Sequence, residues 1–128
     1  MSRSLDDLAQ PVRTAAQGLL SMAAMQGLEL MIYCTSRTLA AQAALYASGR
    51  TVKGQILTQA RPGLSLHNPD ENGKAWAFDC VPMLAGKPLW NDQRALLKMG
   101  LLGEAQGLDW AGRWRGKFTE CAHFQIKR

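Results

Sequence analysis

The sequence predicts a single α+β domain, about three helices packed on a small, mostly antiparallel sheet. Three observations carry that prediction. The chain is 128 residues long, one domain's worth spanning 1–128, and at this size folding buries roughly two-thirds of the unfolded surface. Hydrophobic residues make up 47% and charged residues 20%, a globular balance that sets aside disordered tracts, collagen-like repeats and coiled coils. Segments with helical periodicity alternate with short apolar runs, and no internal repeat or domain boundary interrupts them.

Taken in order, Ser4 and Asp7 make a weak capping box, and Leu5, Leu8, Val12, Ala15, Leu19 and Ala23 follow at helical spacing. A helix is expected from Leu5 to Gln26, stopped at Gly27. Leu28 to Cys34 is a short apolar run, read as a buried strand. Alanine-rich Thr38 to Ser48 reads as a second helix with Gly49 as its stop. From Thr51 to Asn72 the abundance of Gly, Pro, Asn and Asp predicts loop with one short strand. Ala75 to Pro82 is a strand, Pro88 to Asn91 a turn, and Asp92 to Gln106 a third helix ended by Gly107. Cys121 to Ile126 is the last strand.

Lys plus Arg is 15 against 10 for Asp plus Glu, a formal net charge of +5, which favours polyanionic partners. The basic residues are scattered, with a loose cluster from Arg113 through Lys117 and a Lys127-Arg128 tail, so no nucleic-acid partner is expected. Cys34, Cys80 and Cys121 are an odd, irregularly spaced set without a C-x-x-C pair, which argues against a disulfide framework. No apolar stretch follows Met1 to Asp7 directly, and Gly18 to Tyr33 is interrupted by Ser21, Gln26 and Glu29. Neither a signal peptide nor a membrane-inserted segment is expected, and the chain is read as made in the cytoplasm.

The chain has two histidines, His67 and His123. With Asp79 they would supply three nitrogen and oxygen ligands, the usual protein share of a catalytic zinc site. Glu120, three residues before His123, would stay free to take a proton from water. The alternative is that both histidines are surface or turn residues, since no H-E-x-x-H presents two ligands from one helix.

Ser65-Leu66-His67 followed by Ala75-Trp76-Ala77-Phe78-Asp79 resembles the S-x-H-x-x-G-x-A-x-D signature of the D-alanyl-D-alanine carboxypeptidase family of zinc peptidases (VanY-like). Glu120-Cys121-Ala122-His123-Phe124-Gln125 resembles its second signature. Thr35-Ser36-Arg37 with Gln42, Leu45-Tyr46, Gly49-Arg50-Thr51, and Gly107-Leu108-Asp109-Trp110 with Gly112 and Trp114 also match, in order, from about Val12 to Gln125. The pattern is most similar to the L-alanyl-D-glutamate endopeptidase branch, which includes phage endolysins. One departure is the longer stretch between His67 and Asp79, where Pro69, Asp70, Asn72 and Gly73 form turns. It reads as a loop insertion that leaves the family glycine without a firm equivalent.

The resemblance implies one zinc ion held by His67, Asp79 and His123, Glu120 as general base and later proton donor, and Arg37 as stabiliser of the oxyanion. Ser65 would hydrogen-bond substrate, with a turn serine as its alternative. Gln42 would support the substrate site by orienting Arg37 or the loop, with packing as its alternative. Trp76, Trp90, Trp110 and Trp114 could form an aromatic wall, although core packing is the commoner use of such residues. Cys80 and Cys121 adjoin proposed ligands and, if on strands, should face away from the metal. The implied activity is hydrolysis of the peptidoglycan stem peptide at the L-alanyl-D-glutamate bond. The implied setting is a monomeric phage or prophage endolysin that a holin releases to the periplasm and the cell wall. The alternatives are a D-alanyl-D-alanine carboxypeptidase or dipeptidase, or a non-catalytic zinc-containing wall-binding module.

Overall fold

The computed structural model describes residues 1–115 and 119–128; Lys117, which closes the basic cluster, lies outside the described residues. The elements are α1 (Gln10–Met25), β1 (Glu29–Cys34), α2 (Leu39–Ala47), β2 (Ala77–Leu84), β3 (Lys87–Pro88), α3 (Gln93–Ala105), β4 (Asp109–Trp110) and β5 (His123–Gln125). Single 3-10 turns stand at Leu5–Asp7 and Ala111–Arg113. The strands form one antiparallel sheet in the order β1-β2-β5-β4, with β3 folded back on β2. Three helices with a small antiparallel sheet make the fold α+β.

Alternation along β2 gives the sheet a core face and a site face. Phe78 and Cys80 are buried with Val12, Ala15, Ala16 and Leu19 of α1 and with Leu96 and Met99 of α3. Phe124 of β5 stacks on Phe78 with ring centroids 5.3 Å apart. The intervening Asp79 is thereby turned to the opposite face. Helix α3 lies almost directly on this sheet. A Cβ at Gly100 would come within 2.3 Å of the Trp110 ring, and one at Gly103 within 2.3 Å of the Phe124 ring. Thr38 and Asp92 cap α2 and α3 by accepting from the backbone N–H of Ala41 and Ala95, which satisfies donors that the helices cannot.

Several boundaries differ from the sequence expectations, each for a local reason. The first helix starts at Gln10 instead of Leu5, because Leu8 and Ala9 are pulled into extended pairing with the chain at Ala75. Ala9 N donates to the Ala75 carbonyl and Ala75 N to the Asp7 carbonyl, both at 2.8 Å. Pro11 then occupies the first turn of α1, where a missing N–H costs nothing. Strand β1 is a half-buried edge, since within the sheet it pairs with β2 alone. No strand forms between Thr51 and Asn72; Val52 makes one isolated bridge to Ser48. That stretch is held by side chains instead. The Arg50 guanidinium stacks over the Tyr46 ring at 3.8 Å and donates to the Thr58 carbonyl at 3.0 Å. The expected turn at Pro88 begins as the two-residue strand β3, and β4 was too short to leave a period in the sequence.

The long connection from His67 to Asp79 closes on Asp70. Its carboxylate accepts from the N–H groups of Asn72 and Lys74 and from the Trp76 indole, at 2.8 to 3.0 Å. Trp76 N in turn donates to the Leu66 carbonyl at 2.8 Å, so the connection returns the chain to the residue beside His67.

Candidate active site

The site is assembled where three strands run side by side. Asp79 on the central β2 pairs in register with His123 of β5 on one side and with Cys34 of β1 on the other. Strand β1 reaches that register through a bulge between Ile32 and Cys34, the irregularity that re-aims side chains beside functional sites. His67 arrives from the loop. Its carbonyl accepts from Arg37 N at 2.8 Å and its own N–H donates to Ser65 Oγ at 3.2 Å.

His67 Nε2, Asp79 Oδ1 and His123 Nδ1 form a triangle with all three edges 3.2 Å. The outer hydrogen bonds fix which ring nitrogens face inward. The Thr35 carbonyl can only accept, so His67 Nδ1 donates to it at 2.9 Å and Nε2 points inward. Gln125 Oε1 lies 2.8 Å from His123 Nε2, which makes that nitrogen the donor and turns Nδ1 inward. Three electron-rich atoms therefore converge, and such a cluster calls for a positive charge at its centre. A tetrahedral ion with bonds of about 2.0 to 2.1 Å has edges of about 3.3 to 3.4 Å, so the triangle fits zinc.

The protonation balance makes the same demand. Burial opposes charging of His67, yet the hydrogen bond and charge of Asp79, with help from Cys34, push its pKa up to about 10. Burial pushes the Asp79 carboxyl up, but its close contacts with His123 and His67 outweigh that and hold the group well below the usual range.

Cys34, His67 and Asp79 form an overlapping set whose ligand atoms lie within 4.8 Å of one another. Cys34 Sγ is 3.6 Å from His67 Nδ1, the nitrogen already committed to Thr35, and 3.7 Å from Arg37 Nη2. A cation at the sulfur would face a guanidinium, so the triangle with His123 is the better cage and Cys34 lies behind it.

Arg37 and Glu120 flank the triangle. Arg37 Nη2 is 3.8 Å from Asp79 Oδ2, Nη1 donates to Gln42 Oε1 at 2.9 Å, and Nε is buried without a partner among the described residues. Gln42 is fully buried, and its Nε2 donates to the Ala60 carbonyl at 2.8 Å, tying arginine to loop. Glu120 is exposed, with Oε2 3.9 Å from His123 Nδ1. Ser65 lines the adjoining cavity of about 790 Å3, as do Arg37, Glu120 and the triangle itself.

The four tryptophans separate by surroundings. Trp110 is buried and donates to the Cys121 carbonyl, and Trp76 is tied to Asp70. Trp90 and Trp114 line the cavity, Trp114 with its ring 5.6 Å from that of His123. Cys80 faces the core, where burial pushes its thiol up to about 12. Cys121 packs against the core from a turn instead of a strand.

Sequence reasoning missed Cys34, the Thr35 carbonyl and Gln125. The last carried a usable signal, because a residue two positions from His123 on a strand shares its face. The other two depend on the bulge in β1, which nothing local announces.

No family model matches the chain. It is 30% identical over 128 residues to the peptidoglycan L-alanyl-D-glutamate endopeptidase CwlK of Bacillus subtilis (strain 168), covering 94% of this chain and 74% of that one. Among solved structures, the L-Ala D-Glu endopeptidase ChiX of Serratia marcescens superposes with a TM-score of 0.71 at 17% identity, over 98% of this chain and 87% of that one. The LD-carboxypeptidase LdcB gives 0.69 at 16% identity, over 98% of this chain and 62% of that one. The two structures share the fold. With the identity to CwlK along nearly its whole length, the chain belongs to the VanY-like zinc peptidase family of D-alanyl-D-alanine carboxypeptidases and L-alanyl-D-glutamate endopeptidases.

Proposed function

We propose that this protein is a zinc-dependent peptidase that hydrolyses the L-alanyl-D-glutamate bond of the peptidoglycan stem peptide. The observation that carries the reading is the 3.2 Å triangle of inward-facing His67, Asp79 and His123 atoms, flanked by a carboxylate and a guanidinium. CwlK and ChiX, each an L-alanyl-D-glutamate endopeptidase, support the choice of bond.

Zinc held by His67, Asp79 and His123 would supply Lewis acidity and bring the pKa of water down to about 7. Glu120 accepts a proton from the attacking water and returns it to the leaving D-glutamate nitrogen as the amide C–N bond breaks. Its exposure at the cavity lets it reach both positions. Arg37 donates N–H bonds to the carbonyl oxygen as negative charge develops there. Gln42 keeps the guanidinium from collapsing onto Asp79, and Ser65 offers a hydroxyl to the substrate backbone. Thr35 and Gln125 hold the two imidazoles in the tautomers that face inward.

The net charge of +5 suits a wall rich in carboxylates. A monomeric phage or prophage endolysin, made in the cytoplasm and passed by a holin to the periplasm, belongs to the same proposal and rests on the resemblance to the endolysin branch. Purified peptidoglycan digested with zinc-loaded protein, beside a chelator-treated control, provides the test by mass spectrometry. New L-alanine C-termini and D-glutamate N-termini that vanish with the chelator are expected. Release of terminal D-alanine would move the protein to the carboxypeptidase branch, and zinc binding without products would make it a wall-binding module.

A further inference from the structure

We propose that Trp90, braced by Tyr33, is the platform for the N-acetylmuramyl sugar, so that the protein selects stem peptides still attached to their glycan. This rests on the L-alanyl-D-glutamate reading, and the substrate's own chemistry connects the two. The amino group of the L-alanine is acylated by the lactyl group of the muramyl sugar. One residue therefore separates the scissile carbonyl from the glycan, a reach of at most about 3.6 Å of chain plus the lactyl link. In a D-alanyl-D-alanine substrate four residues intervene, about 14 Å when extended. A sugar platform beside the metal site is useful for the first bond and out of reach of the second.

Trp90 lies on the wall of the cavity that holds the triangle. Tyr33 precedes Cys34, the residue paired with Asp79 across the sheet, and the bulge in β1 falls at Tyr33. The Trp90 ring meets the Tyr33 ring edge to face, with centroids 5.3 Å apart at 80°. Both line the cavity that holds His67 and Asp79. The contact braces the indole without covering it, and Trp90 remains 50% exposed.

The other tryptophans have their rings or indole N–H groups engaged. Trp76 donates to Asp70, Trp110 donates to the Cys121 carbonyl inside the core, and Trp114 packs on His123. Trp90 offers a broad apolar face of the kind that packs on the C–H face of a pyranose, together with an N–H at its edge. Leu57 and Leu64, which also line the cavity at 57% and 73% exposure, are aliphatic and suit peptide better than a hydroxyl-bearing ring.

Two substrates that share the same bond test this, N-acetylmuramoyl-L-alanyl-D-glutamate and N-acetyl-L-alanyl-D-glutamate, with kcat and KM measured for each. The wild-type protein should prefer the muramoyl substrate by about tenfold, ~1.4 kcal/mol, expressed mainly in KM. Trp90→Ala should collapse that ratio towards one, and Trp90→Phe should restore part of it. Equal use of both substrates by the wild type, or a preference that survives Trp90→Ala, overturns the platform. A binding measurement separates this proposal from the hydrolytic one. N-acetylmuramoyl-L-alanine should quench indole fluorescence in the wild type and not in Trp90→Ala, whatever the activity. Quenching without cleavage at this bond would leave the platform standing and sink the endopeptidase reading. Cleavage without quenching would do the reverse.

Discussion

At His123 the neighbouring residues decide the chemistry. Gln125 Oε1 accepts a hydrogen bond from Nε2, and Nδ1 is left facing Asp79 and His67. Gln125→Ala should therefore lower zinc affinity by about 10- to 100-fold through loss of ring orientation, read by competition with a chromogenic chelator. The base role proposed for Glu120 is separate from ligation, since Glu120 stands outside the triangle and is exposed to the cavity. Glu120→Gln should keep one zinc per chain by metal analysis while hydrolysis falls about a hundred- to ten-thousand-fold; unchanged activity would remove its role as base. The contrast with His123→Ala is informative, because that change should abolish zinc binding and activity together. A variant that still holds one equivalent would mean that the ligand set is wrong.

At the scale of elements, the site depends on how closely α3 is laid on the sheet. Gly103 leaves the space that the Phe124 ring fills, and Phe124 sits between the site residues His123 and Gln125 on β5. Gly103→Ala should destabilise the fold by roughly 1–3 kcal/mol through overpacking, a fall in Tm of at least about 4 °C. A thermal melt with no such fall would show that helix and sheet can part without cost. The connection between His67 and Asp79 illustrates the opposite design. Its turns are fixed by one carboxylate, Asp70, whose hydrogen bond from the Trp76 indole, followed by those from the backbone, lowers its pKa. The stretch is thus closed into a polar loop, and the chain re-enters β2 in the register that aims Asp79 at the site.

For the whole molecule, a metal that binds the native state and not the unfolded chain must raise stability. Free zinc at a hundred times its Kd should add ~2.7 kcal/mol, seen as a higher Tm that a chelator removes and that His123→Ala fails to show. Zinc that leaves the wild-type melt unchanged would exclude a native-state site. Much of the fold was legible beforehand, because periodicity, caps and glycine stops are local signals: α2, β2 and α3 lie within two residues of their expected bounds at either end. What misled was non-local. Leu5 to Ala9 carries a helical pattern, yet pairing with Ala75 holds Leu8 and Ala9 extended, and a backbone hydrogen bond formed across the fold outweighs a weak capping box.

Residue types and their order carry the fold class, the family pattern of His67, Asp79, Glu120 and His123, and the basic charge. Tertiary structure alone decided which atoms meet. The inward tautomers depend on a carbonyl at Thr35 and an amide at Gln125, the hold on Arg37 depends on Gln42 and Cys34, and the division of the tryptophans depends on which faces remain uncovered. Those outcomes come from contacts between residues far apart in the chain. Such contacts are fixed by packing and strand register, which no single stretch of sequence encodes.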